Sequence, residues 1–257
     1  MLTQIAASKR EALQLNGNQI MDSFAECHTL PIIRNFLNIF LPAERVKLIA
    51  EVKKASPSKG MLQADLDPVR LARTYEENGA DAVSVITEET FFLGSPGFVP
   101  RIKDKLEIPI LRKDFIIDER QLYETRMLGA DAVLLIARLL PGRLLSLVEL
   151  ALELGLEPLV EAHDQDEIKR TLDTPARVIG INNRNLQDFS VNIHTCLNLI
   201  SVVPDHIYCI AESGISSADD ILTLERYGFG GALVGEALVT AIDIGIKTRQ
   251  LVQYKEG

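Results

Sequence analysis

Eight short apolar runs, separated by longer stretches of helical periodicity, leave few architectures open to this chain of 257 residues. The runs are Lys47–Lys53, Ala82–Thr87, Pro109–Lys113, Ala132–Ala137, Glu157–Glu161, Val178–Asn182, Ile207–Glu212 and Ala232–Val234. Their starts fall about 20–35 residues apart, the length of a strand, a helix and two turns, so each reads as the strand of a βα unit around a parallel sheet. The helix ends between them are legible. Asp67-Pro68 opens one with a cap and a first-turn proline, and Asn78-Gly79 closes it. Met127-Leu128-Gly129 closes another, and Ser217 with Asp219-Asp220 starts a third with acidic residues suited to a helix N-terminus. Gly79-Ala80-Asp81-Ala82-Val83 recurs as Gly129-Ala130-Asp131-Ala132-Val133, each time a glycine ending a helix before a turn into a strand.

Eight parallel strands with alternating helices close most simply into an α/β (β/α)8 TIM barrel, because closure removes exposed edges. An open doubly wound sheet is the rival, but the G-x-G-x-x-G expected after its first strand is missing; Ala55-Ser56-Pro57-Ser58-Lys59-Gly60 stands there instead. Residues 1–257 are therefore read as a single barrel domain, with 1–46 as an N-terminal helical extension. Ile5, Leu13, Ile20, Phe24, Ile32, Phe36 and Phe40 suggest two or three amphipathic helices packed on the barrel. With 47% hydrophobic and 25% charged residues, the chain has ample apolar side chain for one core.

The 27 basic and 36 acidic residues leave a net charge of −9, which argues against a nucleic-acid partner. Cys27, Cys196 and Cys209 form neither a disulfide framework nor a zinc pattern, and read as buried free thiols in a reducing cytoplasm. No stretch approaches the ~18 continuous apolar residues of a membrane span, and no secretory leader is apparent, so the expected location is the cytoplasm, with no membrane partner.

Active sites of such barrels form where strands end, so polar residues there need an explanation. They are numerous: Glu51 and Lys53, Lys113 and Asp114, Glu161, Asn182 and Arg184, and Glu212. The period-2 rule puts Glu51 and Lys53 on one face with Ile49 a step below, the face that would line the barrel interior. Ionisable groups there cost several kcal/mol unless paired, so they meet partners, solvent or a ligand. One reading is a plug in which Lys53, Lys113 and Arg184 neutralise Glu51, Glu161 and Glu212; clustering at strand ends favours a catalytic pocket. Glu212-Ser213-Gly214-Ile215 and Val234-Gly235-Glu236-Ala237 follow the seventh and eighth strands, the usual phosphate loops of such barrels. His163 lies just past Glu161, but it and His28, His194 and His206 read as satisfied or solvated histidines. No metal-ligand spacing appears, and the expectation is no metal and no cofactor.

Ile49-Ala50-Glu51-Val52-Lys53-Lys54-Ala55-Ser56-Pro57-Ser58-Lys59-Gly60 closely resembles the first-strand signature of the indole-3-glycerol-phosphate synthase family. Further matches follow in order: Leu111-Arg112-Lys113-Asp114-Phe115, Leu159-Val160-Glu161-Ala162-His163, Ile179-Gly180-Ile181-Asn182-Asn183-Arg184, Ala211-Glu212-Ser213-Gly214-Ile215 and Leu233-Val234-Gly235-Glu236. The likeness spans essentially the whole chain. It departs at Arg34-Asn35-Phe36, where the family usually has R-D-F, and at Asn185, where some members have aspartate.

The resemblance implies ring closure of 1-(2-carboxyphenylamino)-1-deoxyribulose 5-phosphate to indole-3-glycerol phosphate, with loss of carbon dioxide and water. It implies Lys113 as general acid, Glu161 as base with Glu51 as assistant or alternative, and Lys53 on the substrate carboxylate. Asn182 and Arg184 would orient the intermediate, Glu212 would hold the lysines, and Ser56 would contact substrate. Ser213, Gly214, Gly235 and Glu236 would hold the phosphate, Glu236 through its backbone amide. A lysine near other cations and partly desolvated is expected to have its pKa lowered toward the working pH. The alternatives are another phosphosugar barrel, such as an isomerase, and a catalytically silent phosphate-binding scaffold. A monomer or weak homo-oligomer is expected, and docking to another tryptophan-pathway enzyme stays open.

Overall fold

The computed structural model describes residues 2–185 and 190–254. All eight runs form strands whose ends lie within one residue of the expected positions: β1 Lys47–Val52, β2 Ala82–Ile86, β3 Ile110–Lys113, β4 Ala132–Ile136, β5 Glu157–Ala162, β6 Val178–Asn182, β7 Tyr208–Glu212 and β8 Gly231–Val234. Each pairs in parallel with the next, and β8 returns to β1 with Lys47 opposite Gly231, closing the barrel. Closure leaves no strand edge unpaired, as expected for a (β/α)8 fold.

The helices are α1 Leu2–Glu26, α2 Pro68–Glu77, α3 Phe98–Lys103, α4 Arg120–Leu128, α5 Leu144–Glu153, α6 Gln165–Leu172, α7 His194–Leu199, α8 Ala218–Arg226, α9 Glu236–Val239 and α10 Ile244–Val252. Their ends obey the local chemistry. Asp67 caps α2 by accepting from the Val69 and Arg70 amides, Ser217 and Asp220 form a reciprocal capping box on α8, and Gly129 takes φ 84° to end α4.

The repeated Gly-Ala-Asp-Ala-Val segments carry a second job. Asp81 accepts from the Leu48 amide at 2.8 Å and Asp131 from the Ile110 amide at 2.8 Å, so each aspartate ties the start of the preceding odd strand to the turn that feeds the next one. Arg45 completes the first tie at 2.8 Å, and Lys103 the second at 2.5 Å.

Alternation along the strands sorts residues cleanly. Ile49, Leu111, Leu159 and Ile210 pack inside the barrel, while Leu48, Ala50, Val52 and Ala211 pack outward beneath the helices. Phe36 and Phe40 join the inner cluster, and Phe40 stacks on Tyr208 with ring centroids 4.4 Å apart. Asn35 accepts from the Leu37 amide at 3.0 Å, so this departure from R-D-F keeps a competent cap for the 3-10 turn Phe36–Phe40.

The extension differs from expectation in its helices. One 25-residue helix, α1, replaces two or three, followed by that short 3-10 turn. It packs along α4, with Phe24 edge-on to Tyr123 at 4.8 Å, and Gly17 leaves room for Arg120, whose guanidinium atom would lie 2.1 Å from a Cβ there. Ile5 and Leu13 are buried, but Ile32 is exposed because it lies beyond the helix in a connecting segment. Cys196 and Cys209 are buried thiols, whereas Cys27, at the end of α1, is only half-buried. Among the described residues no helix is long and apolar enough to cross a membrane.

Candidate active site

The odd strands each deliver one ionisable side chain to the top of the barrel: Glu51 from β1, Lys113 from β3, Glu161 from β5 and Glu212 from β7. Two residues below them lie Ile49, Leu111, Leu159 and Ile210, all fully buried. Side chains from alternate strands form layers in such barrels. Here the uppermost layer is charged and sits on an apolar floor, so its members are forced to pair with one another or face what lies above.

Above them opens a cavity of about 680 Å³. Glu51, Lys53, Lys113, Glu161, Asn182 and Arg184 line it. So do Ser56, Ser213, Gly214, Gly235 and Glu236. Glu212 alone of the expected site residues does not reach the cavity; it is fully buried beneath Lys113.

Lys113 Nζ lies 3.0 Å from Glu212 Oε2 and 3.2 Å from Glu51 Oε2, and Lys53 Nζ lies 2.7 Å from Glu51 Oε1. Glu51 therefore bridges both lysines, one on each oxygen. Burial pushes its pKa up, but Lys113 and Lys53 outweigh burial and hold it down at about 2. The sequence-based expectation for Lys113 is reversed. Burial alone would lower its pKa, yet Glu212, Glu51 and Glu161 surround it, and the lysine is held well above its ordinary value. Three carboxylates around one ammonium outnumber the neighbouring cations. Glu212 shows the other side of that imbalance: burial, reinforced by Glu161 and Glu51, overcomes Lys113 and raises its pKa to about 7. The cluster is thus partly the ion-paired plug considered from the sequence, but Lys53 and Lys113 keep 13% and 19% of their side chains exposed toward the cavity.

Two glycines make this packing feasible. A Cβ at Gly180 would stand 2.1 Å from Glu212 Oε1, and one at Gly235 would stand 2.2 Å from Glu51 Oε1. Gly235 thus serves the charged layer as well as its loop.

Glu161 has a partner the sequence left in the background. His163 Nε2 lies 3.2 Å from Glu161 Oε1, in ion-pair range without hydrogen-bond geometry, and His163 Nδ1 lies 3.0 Å from Glu167 Oε2. His28, His194 and His206 are exposed. Asn182 helps hold the Glu161 pKa down and accepts from the Arg184 amide at 3.0 Å. Asn183, buried just past the end of β6, donates to the Ser213 carbonyl at 3.0 Å and accepts from the Cys196 amide at 2.9 Å, bracing the loop after β7. In that loop Ser213 and Gly214 take φ 62° and 79°.

Periodicity could not reveal several other lining residues. Phe92 and Phe115, 6.0 Å apart, with Ile86, Leu134 and Ile136 give the cavity an apolar wall, and Leu2 and Ile5 bring α1 to its rim. Glu88 accepts from the Phe91 and Phe92 amides at 2.7 and 2.9 Å, setting that loop. Lys59 reaches the cavity from the short hairpin Ala55–Ser56/Gly60–Met61, with its Nζ 3.7 Å from Glu236 Oε1. Among the described residues no group of three or more His, Cys, Asp and Glu is arranged to hold a metal ion.

The chain is similar to known proteins over most of its length. The family model "Indole-3-glycerol phosphate synthase" matches residues 2–251. The chain is 49% identical over 257 residues to an indole-3-glycerol phosphate synthase of Desulforamulus reducens, covering 98% of this chain and 97% of the relative. It is 43% identical to one of Chlorobium phaeobacteroides, covering 95% and 96%. Among solved structures, a 3-hexulose-6-phosphate synthase from Salmonella typhimurium superimposes with TM-score 0.67 at 16% identity, covering 81% of this chain and 98% of that one, a likeness of fold.

Proposed function

The chain belongs to the indole-3-glycerol phosphate synthase family, and from that membership we propose how its residues divide the work. The activity is a carboxy-lyase reaction of tryptophan biosynthesis: ring closure of 1-(2-carboxyphenylamino)-1-deoxyribulose 5-phosphate to indole-3-glycerol phosphate, with loss of carbon dioxide and water. One observation carries the assignment of roles. Lys53, Lys113 and Glu161 line one cavity, so two proton donors and one acceptor can touch the same small molecule.

The substrate brings a phosphate and an aryl carboxylate. Its ring lies against Phe92, Phe115 and the aliphatic wall, its carboxylate faces Lys53, and its phosphate sits in the loops carrying Ser213, Gly214, Gly235 and Glu236. Arg184 and Ser56 hold its middle. The aryl carbon bearing the carboxylate attacks the ketone carbon while Lys113 gives its proton to the ketone oxygen. Carbon dioxide departs, leaving its bonding electrons to restore the ring. A second proton, from Lys53, lets the hydroxyl leave as water, and Glu161 takes the proton from the carbon beside nitrogen. Two protons are given and one is taken, matching the single proton consumed when a carboxylate leaves as carbon dioxide.

Glu51, with both oxygens on lysines, positions them, so Glu161 is the base. The high pKa of Lys113 means the acid waits fully loaded; Glu212, near neutrality, is suited to return a proton to it. Residues 1–257 act as one barrel domain, with 1–46 closing its base and rim, and no cofactor is needed. The test is purified chain with the carboxyphenylamino substrate, followed by indole fluorescence. Turnover that falls at least a hundredfold in Glu161→Gln with KM little changed supports the reading. Turnover retained in that variant overturns Glu161 as base.

A further inference from the structure

We infer that His163 is the positioning residue of Glu161: its ring, clamped between Glu161 on β5 and Glu167 on α6, fixes the carboxylate that faces the cavity and keeps it ionised. The inference rests on Glu161 acting as the base.

The geometry begins in the backbone. Glu161 is the penultimate residue of β5, and His163 is the first residue past the strand, in the bend that leads into α6. Asp164 caps α6 by accepting from the Glu167 amide at 2.9 Å, and Glu167 in turn accepts from the His163 amide at 2.8 Å. The turn is therefore locked before the ring is considered. The same Glu167 oxygen also receives His163 Nδ1 at 3.0 Å, which leaves Nε2 facing Glu161 at 3.2 Å. Behind Glu167 stands Arg138, which is paired with it and lies 2.9 Å from Asp164. The result is one line of alternating charge running from the cavity to the outer face: Glu161, His163, Glu167, Arg138.

The carboxylates around the ring favour its cationic form. Glu161 comes from β5 and Glu167 from α6, while Arg138 after β4 is bonded to Glu167 and Asp164 and Lys113 lies on the far side of Glu161. On the far side an open cleft is bordered by Asp164, Gln165 and Asp166, and from α7 by the uncharged Thr195, Asn198 and Leu199. Burial opposes the charge, yet the two carboxylates push His163 up to about 10. In Glu161 the balance is the mirror image: burial would raise it, and His163, then Lys113, bring it down to about 2. His163 itself does not line the main cavity, so it acts through Glu161 and touches no substrate.

A purely structural role, in which the residue merely joins β5 to α6, would leave the pH dependence of turnover alone. The experiment compares kcat against pH from 3 to 9 in the full chain and in His163→Gln, which keeps a hydrogen-bond donor but loses the charge. The expected result is an acid limb displaced upward by one pH unit or more in the variant, with KM within about threefold of the parent. Superimposable profiles overturn the inference. A second measurement needs no variant: among the four histidines of the parent chain, ring nitrogen NMR should find one imidazole still doubly protonated at pH 8.5, and finding none overturns it. Glu161→Gln separates the layers: if it is inactive while the His163→Gln profile overlays the parent, only the role of His163 fails.

Discussion

Gly235 stands where Glu51 needs space: a Cβ on the glycine would fall 2.2 Å from Glu51 Oε1 and 3.0 Å from Lys53 Nζ. The backbone at 235 has φ −122°, so freedom to adopt positive φ is not what requires glycine here. Gly235→Ala should therefore fold, displace the Glu51–Lys53 pair, and reduce kcat/KM by about a hundredfold, the scale of a lost positioned proton donor. Unchanged steady-state kinetics would show that the pair tolerates displacement.

Lys113→Ala removes the ammonium shared by Glu51 and Glu212. Turnover should fall by about 10²–10⁴-fold, the usual contribution of a general acid, while a non-reactive phosphate ligand binds within a few-fold of the parent. Equal loss of turnover and binding, read by calorimetry beside the kinetic assay, would make Lys113 a binding residue.

Stability should decline as pH rises from about 6.5 to 10. His163 binds its proton more tightly folded than unfolded, so its contribution is complete below the ordinary histidine pKa and is lost as pH passes through the raised one, about 10. Glu212, raised to about 7, adds the same sign of slope between about 4.5 and 7. Glu51, lowered to about 2, acts oppositely: its contribution is present above about 4.5 and lost as pH falls toward 2. Urea midpoints across pH 3–10 should show both limbs, and the alkaline one should flatten in His163→Gln.

Lys9 on α1 meets Asp114, next to Lys113, at 2.7 Å, and the Asp114 side chain is fully buried. Thr87 Oγ1 donates to the same carboxylate at 2.7 Å and Arg112 lies 3.4 Å from it, so Lys9→Ala leaves the charge partly satisfied. The expected cost is about 1.5–3 kcal/mol in denaturant unfolding, the range for a hydrogen bond to a charged group, with a rise in KM as the α1 rim of the cavity loosens.

Ketone activation is assigned to the Lys113 proton, so prolonged treatment with a strong chelator should leave kcat unchanged. Activity that disappears and returns on adding a divalent ion would demand another electrophile in place of that lysine.

The barrel and the composition of its mouth were legible before any coordinates, because strand alternation and helix punctuation are local properties. Ile49 below Glu51, the Asp67 and Ser217 caps and the two glycine-bearing loops at the cavity all follow from residue order. The likeness to the synthase family supplied the candidate roles. What order along the chain could not supply was which charges meet across strands far apart in sequence. The contact of Lys113 with Glu212 spans 99 positions, and only barrel closure puts three carboxylates around that lysine and lifts its pKa instead of lowering it. His163 looked like any histidine after a strand until α6 folded Glu167 against its ring. A side chain's identity is written in one position, but its electrostatic field is the sum over neighbours that only the closed fold brings together.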